Sequence, residues 1–478
     1  MAIRTITSTT TGIDVDTFGD LWILRDGFSL GNAGDAFDFL DFTSSTLLVE
    51  GLVYSQTDAI DSGVGSGANT VTVSATGTVY GDSDGIELTG NGHEVFNSGT
   101  VTGAGDRGIQ MIGDSSEVVN TGTVSGQSDG LSLEGNNGVL INHGSISSAA
   151  YDGVNVAGTG NYVSNSGQIV GARHGVEFNT VLAETNTLVN AGTITGNTTA
   201  VRGDFGDETV INSGTILGLV ELRDGADFFN SNGGTVSGTV LGGAGDDTLQ
   251  GGENADVMEG GDDADLLIGR GGDDVLAGDA GNDMMLGGAG NDSMTGGNNN
   301  DTMNGNAGDD TLEGGAGNDI LVGQDGSDFL DGGTLEDTLD GGNGDDVLEG
   351  DSGNDILRGR AGEDDLAGGL GRDFLTGGQD ADQFVFRSTA ETVVGADRDQ
   401  ILDFEQGLDS IVVAGLSPGV FEFRGTSAFA PSGNPELRLL ETATGSTIVQ
   451  LDVDGDGAAD AEIRVANVTG LTAEDFVL

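Results

Sequence analysis

The sequence GGAGDDTLQ (residues 242–250) opens a series of sixteen consecutive nine-residue units that closes with GGQDADQFV (residues 377–385). No insertion or deletion interrupts the series. The first position of every unit is Gly, the sixth is Asp, and the eighth is Leu, Met or Phe. A fixed period of this kind predicts that neighbouring units stack on one another, so it decides the fold of this part of the chain.

Each unit is typical of a Gly-rich turn of about six residues followed by a strand of about three. Two units then form one coil, which stacks Asp247 on Asp265 and Asp256 on Asp274. Stacked strands lie about 4.8 Å apart, and two carboxylates at that distance repel by about 3.5 kcal/mol at an effective dielectric constant of about 20. One apolar residue per unit does not offset this repulsion together with the ordering of so much Gly. We therefore expect the stack to require a cation.

Repeated oxygen ligands favour Ca²⁺, because Mg²⁺ demands a stricter octahedron and soft metals prefer Cys or His. We predict multiple Ca²⁺ ions, each held by Asp carboxylates of two stacked turns and by Gly carbonyls, with at most about fourteen sites. The predicted metal ligands are Asp247, Asp256, Asp265, Asp274, Asp283, Asp292, Asp301, Asp310, Asp319, Asp328, Asp337, Asp346, Asp355, Asp364, Asp373 and Asp382. The turn with Leu335 at the fourth position is the least favourable, because Leu adopts a left-handed conformation only at a cost.

These units closely resemble the repeats-in-toxin (RTX) nonapeptide, G-G-x-G-x-D-x-U-x, and its calcium β-roll. The resemblance implies a secreted, extracellular calcium-binding protein, exported by type I secretion machinery with its C-terminus first. Folding would then follow when calcium outside the cell fills the Asp positions, because metal binding and folding are thermodynamically coupled.

The composition excludes several classes of function. There are 79 acidic and 15 basic residues, a formal net charge of −64, and every basic residue is Arg. Such a chain does not bind nucleic acid by neutralising phosphates. The absence of Cys excludes disulfides, Cys-based zinc sites and thiol catalysis. No apolar run is long enough for a transmembrane helix, and the opening MAIRTITSTTTGIDVD lacks the apolar core of an N-terminal signal peptide.

A longer period of 20–25 residues fills residues 61–241. The phrase Asn-x-Gly-x-Val/Ile recurs from Asn97, Asn120, Asn142, Asn165, Asn190 and Asn212. An apolar column keeps pace with it at Val95, Val118, Leu140, Val163, Leu188, Val210 and Phe228. Three short β-branched strands per coil predict a parallel β-helix in which the Asn side chains form a stacked amide ladder. The region resembles the β-helices of polysaccharide-active enzymes and autotransporter passenger domains.

The predicted fold is therefore all-β. A right-handed parallel β-helix (61–241) would continue into a calcium-bound parallel β-roll (242–385), followed by a small C-terminal β module (386–478). We interpret residues 1–60 as an N-terminal cap with irregular first coils.

The C-terminal module resembles that of serralysin-type secreted metalloproteases, on the stretch LDVDGDGAADAEIRV from Leu451 and the terminus TAEDFVL. The resemblance implies that residues 475–478 are a signal read by type I secretion machinery. Within the same stretch four acids have the 1, 3, 5, 9 spacing of an EF-hand loop, although Ile463 takes the place of the last Glu. They are tentative calcium ligands: Asp452, Asp454, Asp456 and Asp460. The protease half of that family is absent, since Asn97 stands where H-E-x-x-H from His93 needs its second His.

One group of residues in the β-helix is a candidate for catalysis. Tyr151-Asp152 and Arg173-His174 occupy equivalent positions one coil apart, each before the Gly that starts a strand. Stacked coils would bring these four side chains onto one face, as a base, an acid and an Arg that neutralises a uronate carboxylate. The alternative is a surface ladder of salt bridges without catalytic function.

Two functions remain open. The first is a secreted, calcium-binding, non-enzymatic β-solenoid with a structural or adhesive role at the cell surface or matrix. The second is a secreted polysaccharide lyase or uronate epimerase that acts from the β-helix. Extracellular polysaccharide or a cell surface is the expected partner of the first.

Overall fold

The computed structural model describes residues 3–7, 13–14, 20–39, 44–63, 67–179, 185–413, 415–416 and 419–478. The chain divides into two compact units. Unit 1 comprises residues 1–252 with 257–259, and unit 2 comprises residues 253–256 with 260–478. The only helix among the described residues is a single 3₁₀ turn, Ala473–Asp475, so this part of the chain is all-β as predicted.

Unit 1 is a parallel solenoid with three strands per coil. One sheet contains β1 (Ile3–Ile6), β3 (Leu21–Leu24), β6 (Thr46–Val49), β9 (Thr70–Val73), β12 (Glu94–Asn97), β15 (Glu117–Asn120), β18 (Val139–Asn142), β21 (Tyr162–Asn165), β24 (Asn186–Asn190), β27 (Glu208–Asn212), β30 (Phe228–Asn230) and β33 (Thr248–Gln250). A second sheet contains β4 (Ser29–Asn32), β7 (Leu52–Ser55), β10 (Thr78–Gly81), β13 (Thr100–Gly103), β16 (Thr123–Gly126), β19 (Ser145–Ser148), β22 (Gln168–Gly171), β25 (Thr193–Gly196), β28 (Thr215–Leu217) and β31 (Thr235–Val236). The third contains β2 (Ile13–Asp14), β5 (Phe37–Asp38), β8 (Ile60–Ser62), β11 (Ile86–Thr89), β14 (Ile109–Ile112), β17 (Leu131–Glu134), β20 (Val154–Ala157), β23 (His174–Phe178), β26 (Thr199–Arg202), β29 (Val220–Asp224) and β32 (Val240–Ala244).

The predicted columns form the core of unit 1. Val95 pairs with Val118 and Val118 with Leu140, and all three are fully buried. Each such aliphatic side chain contributes about 1.5–3 kcal/mol by leaving water. The column ends one residue later than predicted, because Val210 pairs with Phe229 while Phe228 lies beside Thr209. The shift arises because this coil is shorter than those before it, so the Asn phrase no longer marks the register.

A buried amide ladder runs along one corner of unit 1, as predicted. Each Asn side chain donates from Nδ2 to Oδ1 of the Asn one coil later, at 2.7–2.8 Å. Its members are Asn97, Asn120, Asn142, Asn165, Asn190 and Asn212. The last, Asn212, donates to the Ser231 hydroxyl at 3.0 Å. Every coil in the series is thus pinned to the next by a neutral hydrogen bond.

Unit 2 contains the nonapeptide coils, with two strands per coil. One face has β35 (Leu266–Gly271), β37 (Met284–Ala289), β39 (Thr302–Ala307), β41 (Ile320–Asp325), β43 (Thr338–Asn343), β46 (Ile356–Ala361) and β49 (Phe374–Gln379). The other has β36 (Val275–Ala280), β38 (Ser293–Asn298), β40 (Thr311–Ala316), β42 (Phe329–Thr334), β44 (Val347–Glu349), β45 (Ser352–Gly353), β47 (Asp365–Ala367), β48 (Leu370–Gly371) and β50 (Gln383–Val385). The remaining strand of the repeats, β34 (Val257–Asp262), has residues in both units.

Pairing confirms the coil of two units, since Leu267 pairs with Met285 and Leu276 with Met294, all of them buried. The strands are longer than the three residues expected. Most span six residues, because the first three residues of the following unit extend the parallel ladder. The Gly-rich part of each unit is therefore divided between strand and turn.

The C-terminal strands stack on the last coils of unit 2. They are β51 (Gln400–Ile401), β52 (Ser410–Val412), β53 (Glu422–Phe423), β54 (Glu436–Glu441), β55 (Thr447–Asp452), β56 (Ala461–Val465) and β57 (Phe476–Val477). Strands β54, β55 and β56 form an antiparallel meander. Strand β51 pairs with β49 and β56, while β52 pairs with β50 and β57. The residue pair Phe476–Val477 is thereby part of the sheet.

Candidate metal centre

The sixth-position Asp side chains of unit 2 form two continuous hydrogen-bonded columns. The backbone N–H of Asp274 donates to Oδ1 of Asp292 at 2.8 Å, and the same bond recurs at every coil between residues 256 and 382, at 2.7–3.1 Å. The carboxylates are buried, none of them more than 8% exposed. Oδ1 of each Asp thus accepts a backbone hydrogen bond from the preceding coil of the same column.

The second oxygen of each carboxylate has no such role. Oδ2 is buried and accepts no hydrogen bond in Asp274, Asp283, Asp292, Asp301, Asp310, Asp319, Asp328, Asp337, Asp346, Asp355, Asp364, Asp373 and Asp382. An unpaired buried oxygen costs free energy, and an unpaired charge costs more. A row of such oxygens fits a hard cation that takes oxygen ligands from successive turns, which is the chemistry of Ca²⁺.

The invariant first-position Gly has a steric explanation. A Cβ on Gly269 would overlap Oδ2 of Asp274 and would approach the carbonyl oxygen of Gly287 one coil later. The same relation joins Gly287 to Asp292. Because φ of Gly269 lies outside the left-handed region, it is space beside the carboxylate, and not backbone freedom, that excludes a side chain here.

The second position supplies the left-handed backbone instead. Arg270, Asp279, Gln324 and Arg360 adopt φ values of 82°, 73°, 87° and 91° there. These residues accept conformational strain so that the turn can close. The residue at the second position must therefore accept a left-handed backbone, whereas the first position must be Gly because a side chain there has no space.

Burial raises the pKa values of the carboxyl groups in the columns. It raises the pKa of Asp274 and Asp310 to about 7 and that of Asp355 to about 8. Neighbouring carboxylates of the same column add to the increase. These shifts express how unfavourable the charged column is in the absence of a cation.

The columns are longer than the sixteen units. Asp399 Oδ1 accepts the N–H of Asp373 at 2.9 Å, and Asp409 Oδ1 accepts that of Asp382 at 3.1 Å. Sequence reasoning missed both, because inserted residues stretch the spacing from 18 to 26 and 27 residues. The signal that remained is the apolar residue two positions later, Ile401 and Ile411, which keeps the Asp-x-apolar pattern of the repeats.

The turn predicted to be least favourable is indeed left-handed at Leu335, with φ 81° and an exposed side chain. The column is nevertheless continuous there, since Asp337 Oδ1 still accepts the N–H of Asp319 at 2.8 Å. The strain is confined to the backbone of the turn.

The C-terminal acidic loop brings three of its four predicted ligands together. Carboxylate oxygens of Asp452, Asp454 and Asp460 lie within 4.8 Å of one another, whereas Asp456 is not part of this group. Both oxygens of the buried Asp452 already accept backbone N–H groups, from Gly455 and Gly457, each at 2.8 Å. The loop is therefore organised by its own hydrogen bonds, and its calcium site stays a prediction.

The structure brings the four β-helix candidates close together, with Asp152 and His174 buried and Tyr151 exposed. Arg173 donates to both oxygens of Asp152, at 3.0 and 2.5 Å, and its guanidinium lies 5.5 Å from the centre of the Tyr151 ring. The His174 backbone N–H donates to Asp152 at 3.2 Å, while the buried ring nitrogen Nδ1 of His174 has no hydrogen-bond partner. These contacts form an ion-paired cluster.

Sequence reasoning missed the centre of this cluster, Glu177. Its carboxylate accepts from Arg173 at 2.7 Å and from Arg202 at 2.6 Å, and burial raises its pKa to about 7. Glu177 lies on the same strand as His174 and pairs with Arg202 of the next coil. Coil stacking in the sequence could have indicated this pairing. Both guanidiniums are thus already bound to protein carboxylates.

Comparison with known proteins agrees with the geometry of the columns. The model of the RTX calcium-binding nonapeptide repeat matches overlapping segments between residues 232 and 387. Among solved structures, the R3 and R2 subunits of the AlgE6 mannuronan C5-epimerase from Azotobacter vinelandii are 30% and 26% identical. They cover 30% and 33% of this chain and 78% and 91% of their own, with TM-scores of 0.25 and 0.22, too low to support a conclusion. None of the curated proteins compared matches the chain.

Proposed function

We propose, from the match of residues 232–387 to the RTX calcium-binding nonapeptide repeat, that calcium outside the cell switches these repeats from an unfolded to a folded state as Ca²⁺ fills their multiple sites. The observation that carries the proposal is the row of buried, unpaired Oδ2 atoms in unit 2. A chain with a net charge of −64 resists collapse while these acids are bare. Calcium neutralises the row and supplies the missing partners of the oxygens.

Far-ultraviolet circular dichroism during calcium titration tests the switch. We expect β-structure to increase cooperatively with calcium and to be lost again in chelator. Magnesium at the same concentration is the control, since its stricter geometry suits these turns poorly. A β-signal that chelator leaves unchanged would contradict the proposal.

Export by type I secretion machinery is part of the same proposal, because RTX repeat proteins are typically exported by this route. No helix among the described residues is long and apolar enough to cross a membrane. We propose residues 475–478 as the signal that the machinery reads in the unfolded chain. Once folded, Asp475 accepts the N–H of Thr472 at 2.7 Å and Phe476 pairs with Ile411.

Replacing Asp475 and Phe476 by Ala tests the signal by the amount of protein that reaches the medium. Export should fall sharply, whereas Glu474→Gln, a change at an exposed neighbour, should leave it unaltered. Undiminished secretion of the double variant would refute this signal.

The first coils of unit 1 supply a surface suited to adhesion to extracellular polysaccharide. The exposed ring of Tyr54 stacks on that of Tyr80, with centroids 5.5 Å apart and planes inclined by 13°. Beside Tyr54 in the same sheet stands Gly31, and a hollow of 410 Å³ opens there. Its lining contains Ser29 and Gln56 but no charged residue. A sugar ring could continue the aromatic stack over Gly31.

Binding of the folded protein to neutral polysaccharides tests this role. We expect Tyr54→Ala to weaken retention, while Tyr162→Ala, at another exposed Tyr of unit 1, should not. If both variants and the parent protein bind the polysaccharide equally well, the hollow beside Tyr54 is not part of the adhesive surface.

The second candidate function is a polysaccharide lyase or uronate epimerase. The cluster of Tyr151, Asp152, Arg173, His174 and Glu177 favours it, since acid, base and cation lie on one face. The engagement of both Arg side chains with protein carboxylates favours the ion-pair ladder instead. Incubation with alginate or pectin, followed by assay for unsaturated uronate ends and for epimerised residues, distinguishes the two: products lost in His174→Ala would establish the enzyme.

A further inference from the structure

Three turns of unit 1, at residues 203–208, 222–227 and 242–247, show the same hydrogen-bond pattern as the Asp columns. The backbone N–H of Glu208 donates to Asp227 Oδ1 at 2.5 Å, and that of Asp227 donates to Asp247 Oδ1 at 2.7 Å. Both Glu208 and Asp227 precede the sixteen repeats and lie outside the residues that match the family model. The pattern is therefore present where the nonapeptide period is not.

These two carboxylates carry the same unsatisfied oxygens. Glu208 is 1% exposed and Asp227 2% exposed, and their atoms Oε1 and Oδ2 are buried without a hydrogen bond. In the described part of the chain, neither side chain forms a salt bridge with Arg or His. Burial raises the pKa of Glu208 to about 9 and that of Asp227 to about 8, which reflects the cost of placing both charges here.

The backbone of turn 222–227 repeats the geometry of the nonapeptide turns. Arg223 and Gly225 have φ values of 90° and 139°, close to 91° and 133° at Arg360 and Gly362. A Cβ on Gly203 would approach Oε2 of Glu208, the same five-residue relation that joins first-position Gly to Asp in the repeats. Turn 222–227 thus agrees with the repeats in its left-handed backbone, and turn 203–208 agrees in the place of its Gly beside the carboxylate.

We propose that Glu208 and Asp227 bind one further Ca²⁺ between turns 203–208 and 222–227, which places a cation site in the wide coils of the β-helix. The inference rests on calcium binding by the repeats and extends it to residues of a different period. Its consequence is that residues 203–230 are also stabilised by calcium, whereas the earlier coils of the β-helix, such as residues 94–165, are not.

Hydrogen exchange of the full chain, read peptide by peptide by mass spectrometry with calcium chloride or chelator, tests the site. In the parent protein calcium should protect the amides of residues 203–230 at least tenfold. The double variant Glu208→Gln/Asp227→Asn should lose this protection and keep that of residues 266–379. The control Asp224→Asn removes one charge from an exposed side chain of the same turn and should behave like the parent.

Protection of residues 94–165 reports whether the double variant keeps the β-helix fold, since Gln and Asn retain an oxygen that can accept the backbone N–H. Calcium-dependent protection of residues 203–230 that persists in the folded double variant would overturn the site. Absence of calcium-dependent protection over residues 266–379 in the parent would instead contradict the proposed function, so the two failures are distinguishable.

Discussion

The amide ladder of unit 1 and the carboxylate columns of unit 2 have the same layout and opposite requirements. Asn142 accepts from Asn120 at 2.8 Å and donates to Asn165 at 2.7 Å, so its side chain is satisfied on both sides. Asp292 accepts from the backbone of Asp274 at 2.8 Å, and its second oxygen has no partner. An amide carries donors and acceptors, whereas a carboxylate carries acceptors only.

Calcium is needed where carboxylates stack and not where amides stack. Stacked amides have their hydrogen bonds satisfied once the coils are in place, because each side chain donates to the next and accepts from the one before. A stack of carboxylates is complete only when a cation is added. A stacked amide therefore leaves a coil complete without metal, whereas a stacked carboxylate leaves it dependent on a cation.

The largest expected effect is that of calcium removal. In excess chelator, hydrogen exchange should become fast over residues 266–379 and remain slow over residues 94–165, because only the former depend on a cation. Peptide-resolved exchange before and after chelation measures both regions in one sample. Equal loss of protection in the two regions would contradict the different calcium requirement of stacked amides and stacked carboxylates.

Acid should partly replace calcium in the carboxylate columns. The folded pKa values, about 7 for Asp274, Asp310 and Asp337, lie above the unfolded value of 3.8. The folded columns thus bind protons more tightly than the unfolded chain, and their stability falls as the pH rises from about 4 to about 7. In chelator, circular dichroism should show more β-structure at pH 5 than at pH 7.5, a difference that saturating calcium should abolish. A β-signal that is the same at both pH values in chelator would contradict protonation of the columns.

A single carboxylate placed in the amide ladder should destabilise the β-helix, as the bare carboxylates destabilise the columns. Asn142→Asp removes the donor to Asn165 and buries a charge, which should destabilise the β-helix by about 2–4 kcal/mol at pH 7. Chemical unfolding in chelator, where the columns contribute nothing, measures the loss. The destabilisation should shrink at low pH, since a protonated Asp recovers a donor. The control Asn230→Asp, at a less buried amide of the same unit, should cost less.

The smallest expected effect concerns the strained turn. Leu335→Gly removes a left-handed Leu and should stabilise the calcium-bound roll by about 1 kcal/mol. The calcium concentration at the folding midpoint should fall slightly. The matched change Leu370→Gly, at an equally exposed Leu without positive φ, should not lower it. A lower midpoint in both variants would mean that the gain comes from removing an exposed apolar side chain.

Much of the fold was predictable because the periods are spatial as well as sequential. The nonapeptide period predicted the two-unit coil and the buried columns from Leu267 to Leu375, and the Asn phrase predicted the amide ladder. Prediction failed where coil length changed. In a shortened coil the apolar column contains Phe229 and not Phe228. Asp399 and Asp409 were missed because insertions lengthen the spacing that precedes them.

The candidate site was predictable to a different degree. The sixth-position acids follow from the period alone, and Tyr151 with Arg173 follows from coil stacking. Glu177 escaped because its role depends on which side of a strand faces Arg202, a detail that pairing register reveals and composition does not. The sequence does not show the asymmetry between the two oxygens of each Asp either, since it arises from the one backbone N–H that donates to each carboxylate.

That N–H gives the columns a growth direction. Each donor belongs to the earlier residue and each acceptor to the later one, as in the bond from Asp256 to Asp274. On the proposed route the later residues emerge from the cell first, so every new coil meets an acceptor that is already in place. Asp399 stands beside a strand paired with β56 and offers a fixed surface for the first of these coils. The roll can then lengthen one coil at a time toward the N-terminus, so that folding outside the cell draws the remaining chain outward.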